Sequence, residues 1–442
     1  MNVVKVYKKL LLSFFLFFVL FNPPFYKGIS FTIIAVVFSV VAVVLDIRYF
    51  TRNIISKEQI QAVWMSIFFL TYAVIMGMAA LTVHMQGRII VMNVIRCAGV
   101  NICMFLTAFL IAGLAVKNNY SVQELIDAYI YCGVIQAVIS MVSYVSTDVS
   151  DYLNAVMVSN IRHENIASLV YNSKGVRCYG FAANLFDTFG CAMSMIAILA
   201  LAAALSGRKM FLIYFGVITF SAVINSRTSM VLISAGIFVL LIQKIRKKMS
   251  AKMLVRILFF FTAFFAVVFL FFIYIGNNTS SMSAEWIKSG ADAIVSLILH
   301  QSVDQEFRGA NTNYFAIAFE RFFFLPDNLL SVLFGTGMLP GEVAGRGSDV
   351  AYIRHIWQFG ITGSLIQYSM YIFVIWKSRR MWKNIYKGLP VCLGVMLFVY
   401  LIKNEGLGYG MPTLIVMPVL FTAFSWKKAW KGKNIWKTEY SG

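Results

Sequence analysis

Charged side chains in a strongly apolar chain are the first candidates for chemistry in this sequence. Of 442 residues, 60% are hydrophobic and only 13% are charged. A charge at bilayer depth is costly unless it is solvated, paired or bound to a ligand. Cations and acids nevertheless recur in segments that we predict to share one membrane face: Arg177, Arg227, Arg346, Asp349, Arg354, Lys403 and Glu405. We therefore predict one polar site at that face.

Arg227 gives the sharpest indication of a site. From Met210 to Ile242 the chain must cross outward and return, so each leg rises roughly 25 Å, less than the about 30 Å hydrocarbon core. The turn around Arg227 is then predicted to lie below the outer surface, where an arginine costs about 2.5–3.5 kcal/mol or more. A salt bridge within the membrane is one solution, but we count almost no carboxylates in the neighbouring spans. We favour a water-filled groove that binds an anionic partner.

The longest polar interval runs from Asn277 to Gly363 and ends in a glycine-rich stretch of mixed charge. Glycines allow a backbone to approach a ligand closely. Two short apolar runs within it, Ala291–His300 and Thr312–Phe324, are too short to span and are typical of interfacial helices. We predict that this interval forms a lid over the polar site at the outer face.

The elements that would position these residues are transmembrane helices, because each span needs roughly 20 apolar residues. The predicted fold is all-α, a polytopic helical bundle in one membrane domain, 1–442. It has an outer loop at 146–183 and a long outer loop at 276–353. About twelve spans are predicted near 10–26, 29–46, 61–83, 89–116, 122–145, 184–205, 210–225, 229–243, 254–275, 354–376, 388–403 and 411–426.

The distribution of basic residues orients the bundle. Most of the 38 Lys and Arg residues fall in alternate loops, and cytoplasmic loops carry an excess of these cations. We expect the first apolar segment to be retained as a span, since no small-residue cleavage site follows it. Both termini are then predicted to be cytoplasmic, with the loops 146–183 and 276–353 outside.

Composition argues against several other kinds of site. The net charge of +20 is mostly the positive-inside bias, so no nucleic-acid partner is expected. The six cysteines lie mostly inside spans at no ligand spacing, which indicates neither a disulfide framework nor a zinc site. No metal and no cofactor are expected.

Three short patterns in this topological order resemble the O-antigen polymerase (Wzy) family and its relative, the O-antigen ligase. The patterns are Arg177-x-x-Gly180-Phe181-x-x-Asn184, then Asn225-Ser226-Arg227-Thr228, then Gly335-x-Gly337 with Asp349-x-x-Tyr352 and Gly360-x-x-Gly363. The ligases commonly carry a histidine three positions before the tyrosine of the last pattern. This chain has Asp349 there, which favours the polymerase.

The resemblance implies metal-independent glycosyl transfer from undecaprenyl diphosphate-linked oligosaccharides, on the outer face of a bacterial inner membrane. Arginine forks suit phosphate oxygens, and a diphosphate leaving group needs positive charge. Arg177 and Arg227 are therefore assigned to the diphosphate, with Arg346, Arg354 and Lys403 as further candidates. The acceptor hydroxyl needs a general base. Asp349 is the first candidate, followed by Glu405 and His355.

Several alternatives stay open. A repeat-unit flippase, an O-antigen ligase, a lipid-linked-sugar glycosyltransferase and an ion-coupled transporter would each use many spans. The long outer loop argues against the flippase, and the first outer loop, Asn22–Ser30, lacks the carboxylate expected of the lipid-linked-sugar enzymes. Membrane lipids are expected partners, and binding of a chain-length regulator protein stays open.

Overall fold

The structure is a computed structural model. It describes residues 3–26, 29–30, 34, 37, 40–41, 44–83, 87–159, 179–180, 182, 186–226, 228–245, 323–343, 347–348, 350–382, 388–403 and 411–429. Within these ranges the chain is almost entirely helical. One short antiparallel pair of strands, β1 (Pro24–Tyr26) and β2 (Ile29–Ser30), follows the first helix.

Helices account for the rest of the regular structure. Ile47–Tyr49 forms an α-helical turn that leads into a π-helical turn, Phe50–Ile54. The remaining helices are α1 (Val3–Phe21), α2 (Lys57–Val83), α3 (Gly87–Lys117), α4 (Val122–Val145), α5 (Thr147–Ser159), α6 (Phe186–Leu205), α7 (Phe211–Asn225), α8 (Thr228–Ile245), α9 (Leu329–Phe334), α10 (Pro340–Val343), α11 (Ala351–Arg379), α12 (Leu389–Tyr400) and α13 (Met411–Ala429).

Five of the described helices contain a stretch that is long and apolar enough to cross a membrane: α2, α3, α4, α6 and α11. Shorter apolar helices cover Leu10–Phe21, Phe211–Asn225, Thr228–Gln243, Leu389–Tyr400 and Pro412–Ser425. The predicted all-helical character is confirmed for these elements, and the five long helices have the length and composition that a membrane span requires. Half of the predicted span near 29–46 and all of the one near 254–275 lie outside the described residues, so the count of about twelve stays a prediction.

Helix α6 is the central helix of the bundle. Its residues from Phe189 to Ala200 are all buried, and half of the residues from Ile196 to Leu205 are alanine. Small residues let neighbouring helices approach closely, which is the usual basis of helix packing in lipid. Helices α4, α7, α8, α12 and α13 pack around it.

Helix α13 contains a proline that a neighbouring helix compensates. Pro418 has no N–H to donate to the carbonyl of Leu414, one turn earlier. The hydroxyl of the buried Tyr129 in α4 donates to that carbonyl instead, at 2.6 Å. In an apolar bundle a carbonyl left without a donor is costly, so Tyr129 stabilises this helix at its proline.

Helix α11 is broken at Gly360, whose φ is 67° and ψ 179°. The short segment after α9 fills the break: the amide of Thr336 donates to the Trp357 carbonyl at 2.7 Å, and that of Gly337 to Gln358 at 3.2 Å. The Tyr72 hydroxyl donates to the Phe359 carbonyl at 2.8 Å. The predicted span 354–376 is therefore two helical pieces, and only the piece after Gly360 continues to Arg379.

Candidate functional site

The turn between α7 and α8 is held by a polar group that includes a carboxylate from α6. The hydroxyls of Ser226 and Thr228 both donate to Oδ1 of Asp187, at 2.8 and 2.9 Å. Ser226 is 1% exposed, while Asp187 is half-buried. Arg227, between the two hydroxyl residues in sequence, lies outside the described residues. We call Asp187, Ser226 and Thr228 the turn cluster.

Local sequence explains why α6 holds this turn. Asp187 lies in the first turn of α6, where the helix dipole favours a negative charge. At Gly190, one turn later, a Cβ would lie 2.3 Å from Cβ of Ser226 and 2.5 Å from Oγ of Ser229. The α6 backbone therefore lies directly against the turn, at a distance that only glycine allows.

Asp187 is the site residue that the sequence analysis missed. It is the only acid between Asn184 and Leu205, and our count of neighbouring carboxylates gave it no weight. Its position three residues after the Arg177–Asn184 pattern was the available signal. Its presence reopens the salt-bridge alternative for Arg227, because an acid hydrogen-bonds to both residues that flank this arginine.

A buried polar belt extends from the turn cluster into the bundle. The Asn225 amide donates to Oγ of Ser140 at 3.0 Å, and the Gln136 amide donates to the Tyr179 carbonyl. Tyr179 follows Arg177 by two positions. Oε1 of Gln136 and Oγ of Ser229 find no hydrogen-bond partner among the described residues. Buried polar atoms of this kind are suited to ordered water or to the polar group of a ligand.

Two further contacts join three helix ends: one links the start of α6 to the end of α12, and the other links the end of α12 to the start of α11. The hydroxyls of Thr188 and Tyr400 lie 3.2 Å apart, and the Ala351 amide donates to the Leu401 carbonyl at 2.9 Å. Lys403 follows on the exposed end of α12. The turn cluster, the N-terminus of α11 and the C-terminus of α12 are thus neighbours.

His355 is buried rather than open to a substrate. Its side chain is 1% exposed, and Nδ1 lies 2.7 Å from the hydroxyl of Tyr368. The two residues are 13 positions apart, which is roughly 20 Å along a straight helix. The contact exists because α11 bends at Gly360. His355 therefore links the part of α11 before Gly360 to the part after it. Arg354 beside it is half-buried.

The glycines at 335, 360 and 363 have a packing role that the sequence did not indicate. A Cβ on Gly335 would lie 2.6 Å from the Gln358 carbonyl oxygen, and one on Gly360 would lie 2.4 Å from that of Leu333. A Cβ on Gly363 would lie 2.4 Å from the ring of Tyr72. At these three glycines the close approach is to the protein's own chain, not to a ligand.

The predicted site residues divide into two groups. Arg354, His355 and Lys403 are described, and the last is exposed. The other five lie outside the described residues and stay predictions: Arg177, Arg227, Arg346, Asp349 and Glu405.

Comparison with known proteins adds no assignment. The chain matches no protein-family model, and no curated protein matches it.

Proposed function

We propose that this protein polymerises oligosaccharide repeat units, carried on undecaprenyl diphosphate, into a surface polysaccharide. The observation that carries the proposal is the turn cluster. Helices α7 and α8 have 15 and 18 residues, roughly 22 and 27 Å at 1.5 Å per residue. Both lengths are less than the about 30 Å hydrocarbon core. The turn between them is buried among hydroxyls and a carboxylate, as expected of a polar groove below the membrane surface.

The proposed reaction transfers the growing glycan. The bond between its anomeric carbon and the diphosphate oxygen breaks, and the anomeric carbon bonds to a hydroxyl oxygen of the incoming repeat unit. Arg177 and Arg227 bind the departing undecaprenyl diphosphate, because preorganised cations stabilise the charge that develops there. Arg346, Arg354 and Lys403 are secondary candidates for the same role.

The proton of the attacking hydroxyl passes to a general base. Asp349 is the first candidate and Glu405 the second. His355 becomes the least favoured of the three, since it is buried and its Nδ1 lies within hydrogen-bond distance of Tyr368. The proposed transfer uses no metal and no cofactor.

We further propose about twelve spans in a bacterial inner membrane, with both termini cytoplasmic and the turn cluster near the outer face. Two ion pairs suit the predicted inner side: Lys117 with Asp46, and Arg208 with Asp127. Lys117 is the last residue of α3 and Arg208 follows α6, and the positive-inside distribution predicts both positions to be cytoplasmic. Membrane lipids and lipid-linked oligosaccharides are the proposed partners, and no nucleic acid is.

Replacing either diphosphate arginine tests the proposal. In cells that depend on this protein for surface polysaccharide, Arg177→Ala and Arg227→Ala should each abolish long chains while the protein still reaches the membrane. Gel separation of the extracted glycan measures chain length, and immunoblotting of membranes measures the protein. Arg52→Ala, at an exposed arginine of the predicted inner face, is the matched control and should leave the chain-length ladder unchanged.

The pattern of failure separates the alternatives. Loss of a polymerase leaves single repeat units at the cell surface, whereas loss of a flippase leaves them on the cytoplasmic leaflet. Loss of a ligase leaves long chains attached to undecaprenyl diphosphate. Normal ladders in both arginine variants would sink the proposal.

A further inference from the structure

We propose that Asp187 is a positioning residue for diphosphate binding, because it fixes Ser226 and Thr228, the two residues that flank Arg227 in sequence. The inference rests on the proposed function and adds to it a residue that acts through another. Asp187 reaches the turn from a different helix, and its Oδ1 accepts from the residue on each side of Arg227, Ser226 at 2.8 Å and Thr228 at 2.9 Å.

The two hydrogen bonds define the turn more strongly than either would alone. Both end on one carboxylate oxygen, so the two hydroxyls are held on the same side of the chain. A carboxylate has about four acceptor sites, so Asp187 can accept further donors while it holds both hydroxyls. Hydrogen bonds to a charged acceptor are stronger than neutral ones, especially where little water competes.

Packing at Gly190 holds the same turn independently of the carboxylate. Ser226 and Ser229 both lie where a Cβ on Gly190 would be, at 2.3 and 2.5 Å. Any side chain at position 190 must therefore push the turn away from α6. Gly190→Ala thus displaces the turn without removing Asp187, and it should produce the same defect as loss of the carboxylate.

Binding of undecaprenyl diphosphate to the purified full-length protein in lipid nanodiscs provides the test. We expect Asp187→Ala to raise the Kd by about tenfold or more, the lower limit for a lost hydrogen bond to a charged group. Asp187→Asn keeps an oxygen that can accept from both hydroxyls. Its Kd should stay within about threefold of that of the unaltered protein, below the tenfold change that corresponds to about 1.4 kcal/mol. Gly190→Ala should match Asp187→Ala.

A double-mutant cycle with Arg227→Gln distinguishes positioning from a general effect on folding. If Asp187 acts through Arg227, the combined variant should bind no more weakly than Arg227→Gln alone. Additive losses would contradict the proposal. Asp46→Ala, which removes the acid of the Lys117 pair on the predicted inner side, is the matched control and should leave the Kd unchanged.

The outcomes also separate this inference from the proposed function. An unaltered protein that does not bind undecaprenyl diphosphate overturns both. An Arg227→Gln variant that binds normally overturns the positioning role, and the proposed function then depends on Arg177. A large loss in Arg227→Gln with normal binding in Asp187→Ala and Gly190→Ala overturns the positioning role alone. Size-exclusion profiles and thermal unfolding of each variant establish that the binding measurements refer to folded protein.

Discussion

His355 shows how a side chain that looks catalytic in sequence can have a structural position. Its Nδ1 lies 2.7 Å from the Tyr368 hydroxyl, and its ring also lies beside Phe359. Tyr368 in turn contacts the rings of Tyr352 and Phe398. The histidine therefore belongs to a packed aromatic group that joins α11 to α12.

Removing the Tyr368 hydroxyl tests this role. Tyr368→Phe preserves the ring contacts and deletes the hydrogen bond with His355, so we expect a loss of about 1–3 kcal/mol in the free energy of unfolding. Thermal unfolding in detergent should show a lower midpoint, while the chain-length ladder is retained. A ladder that disappears in a stably folded variant would assign His355 to the chemistry instead.

At this scale sequence predicts residue types better than contacts. The depth predicted for Arg227 indicates a polar turn, and Ser226 beside it is buried and hydrogen-bonded to Asp187. Asp187 was not predicted, because an acid at a span entrance is common and its partners lie about forty positions later in the chain. The His355–Tyr368 contact was not predictable, since it depends on a bend that hydrophobicity does not encode.

The break in α11 is the main structural feature at the scale of elements. Gly335 and Gly360 both have positive φ, 88° and 67°, and their backbones meet directly. The helix carbonyls freed by the break accept from Thr336, Gly337 and Tyr72. This arrangement satisfies backbone groups that lipid could not.

A side chain at Gly360 should open this contact. Gly360→Ala introduces a Cβ 2.4 Å from the Leu333 carbonyl oxygen at a φ that costs an L-residue about 1–3 kcal/mol. We expect a lower free energy of unfolding and faster proteolysis of the 323–343 segment. Limited digestion with mass spectrometry measures the rate of proteolysis.

Gly216→Ala is the matched control for that change. Gly216 lies inside α7, and a Cβ there would meet nothing within 4 Å. Alanine favours a helix interior over glycine by about 1 kcal/mol. Stability should stay the same or rise, and equal damage from both alanines would argue that the break at Gly360 has no special role.

Among the structural elements, the positions of the helices were the easiest to predict from the sequence. Apolar run length is set directly by the bilayer, so the described helices end within a few residues of the predicted spans, as in Val122–Val145. The break at Gly360 was not predicted, because a glycine inside an apolar run is also common in straight membrane helices. Helix α5 (Thr147–Ser159) lies in what was predicted only as an outer loop.

At the scale of the whole molecule, sidedness decides whether the proposed site can meet its substrate. The turn cluster and the ends of α11 and α12 are mutual neighbours, and the positive-inside distribution predicts that this end faces outward. The ion pairs of Lys117 and Arg208 then lie at the opposite end.

Cysteine labelling tests this orientation on residues that the structure shows to be exposed. In a background without the native cysteines, Tyr152→Cys and Asp327→Cys should react with an impermeant maleimide in spheroplasts. Lys209→Cys, equally exposed, should react only after the membrane is permeabilised. The reverse pattern would place the turn cluster in the cytoplasm and remove the basis for a glycan substrate.

The hydrogen bond from Tyr129 to the Leu414 carbonyl, which Pro418 leaves without its helical donor, has a consequence for membrane insertion. Tyr129 lies 285 residues before Leu414, so the ribosome completes the donor helix long before the acceptor helix emerges. The late helix can satisfy its spare carbonyl as soon as it meets α4. Truncated chains that lack α4 would present that carbonyl to lipid, and their last helix should enter the bilayer less efficiently.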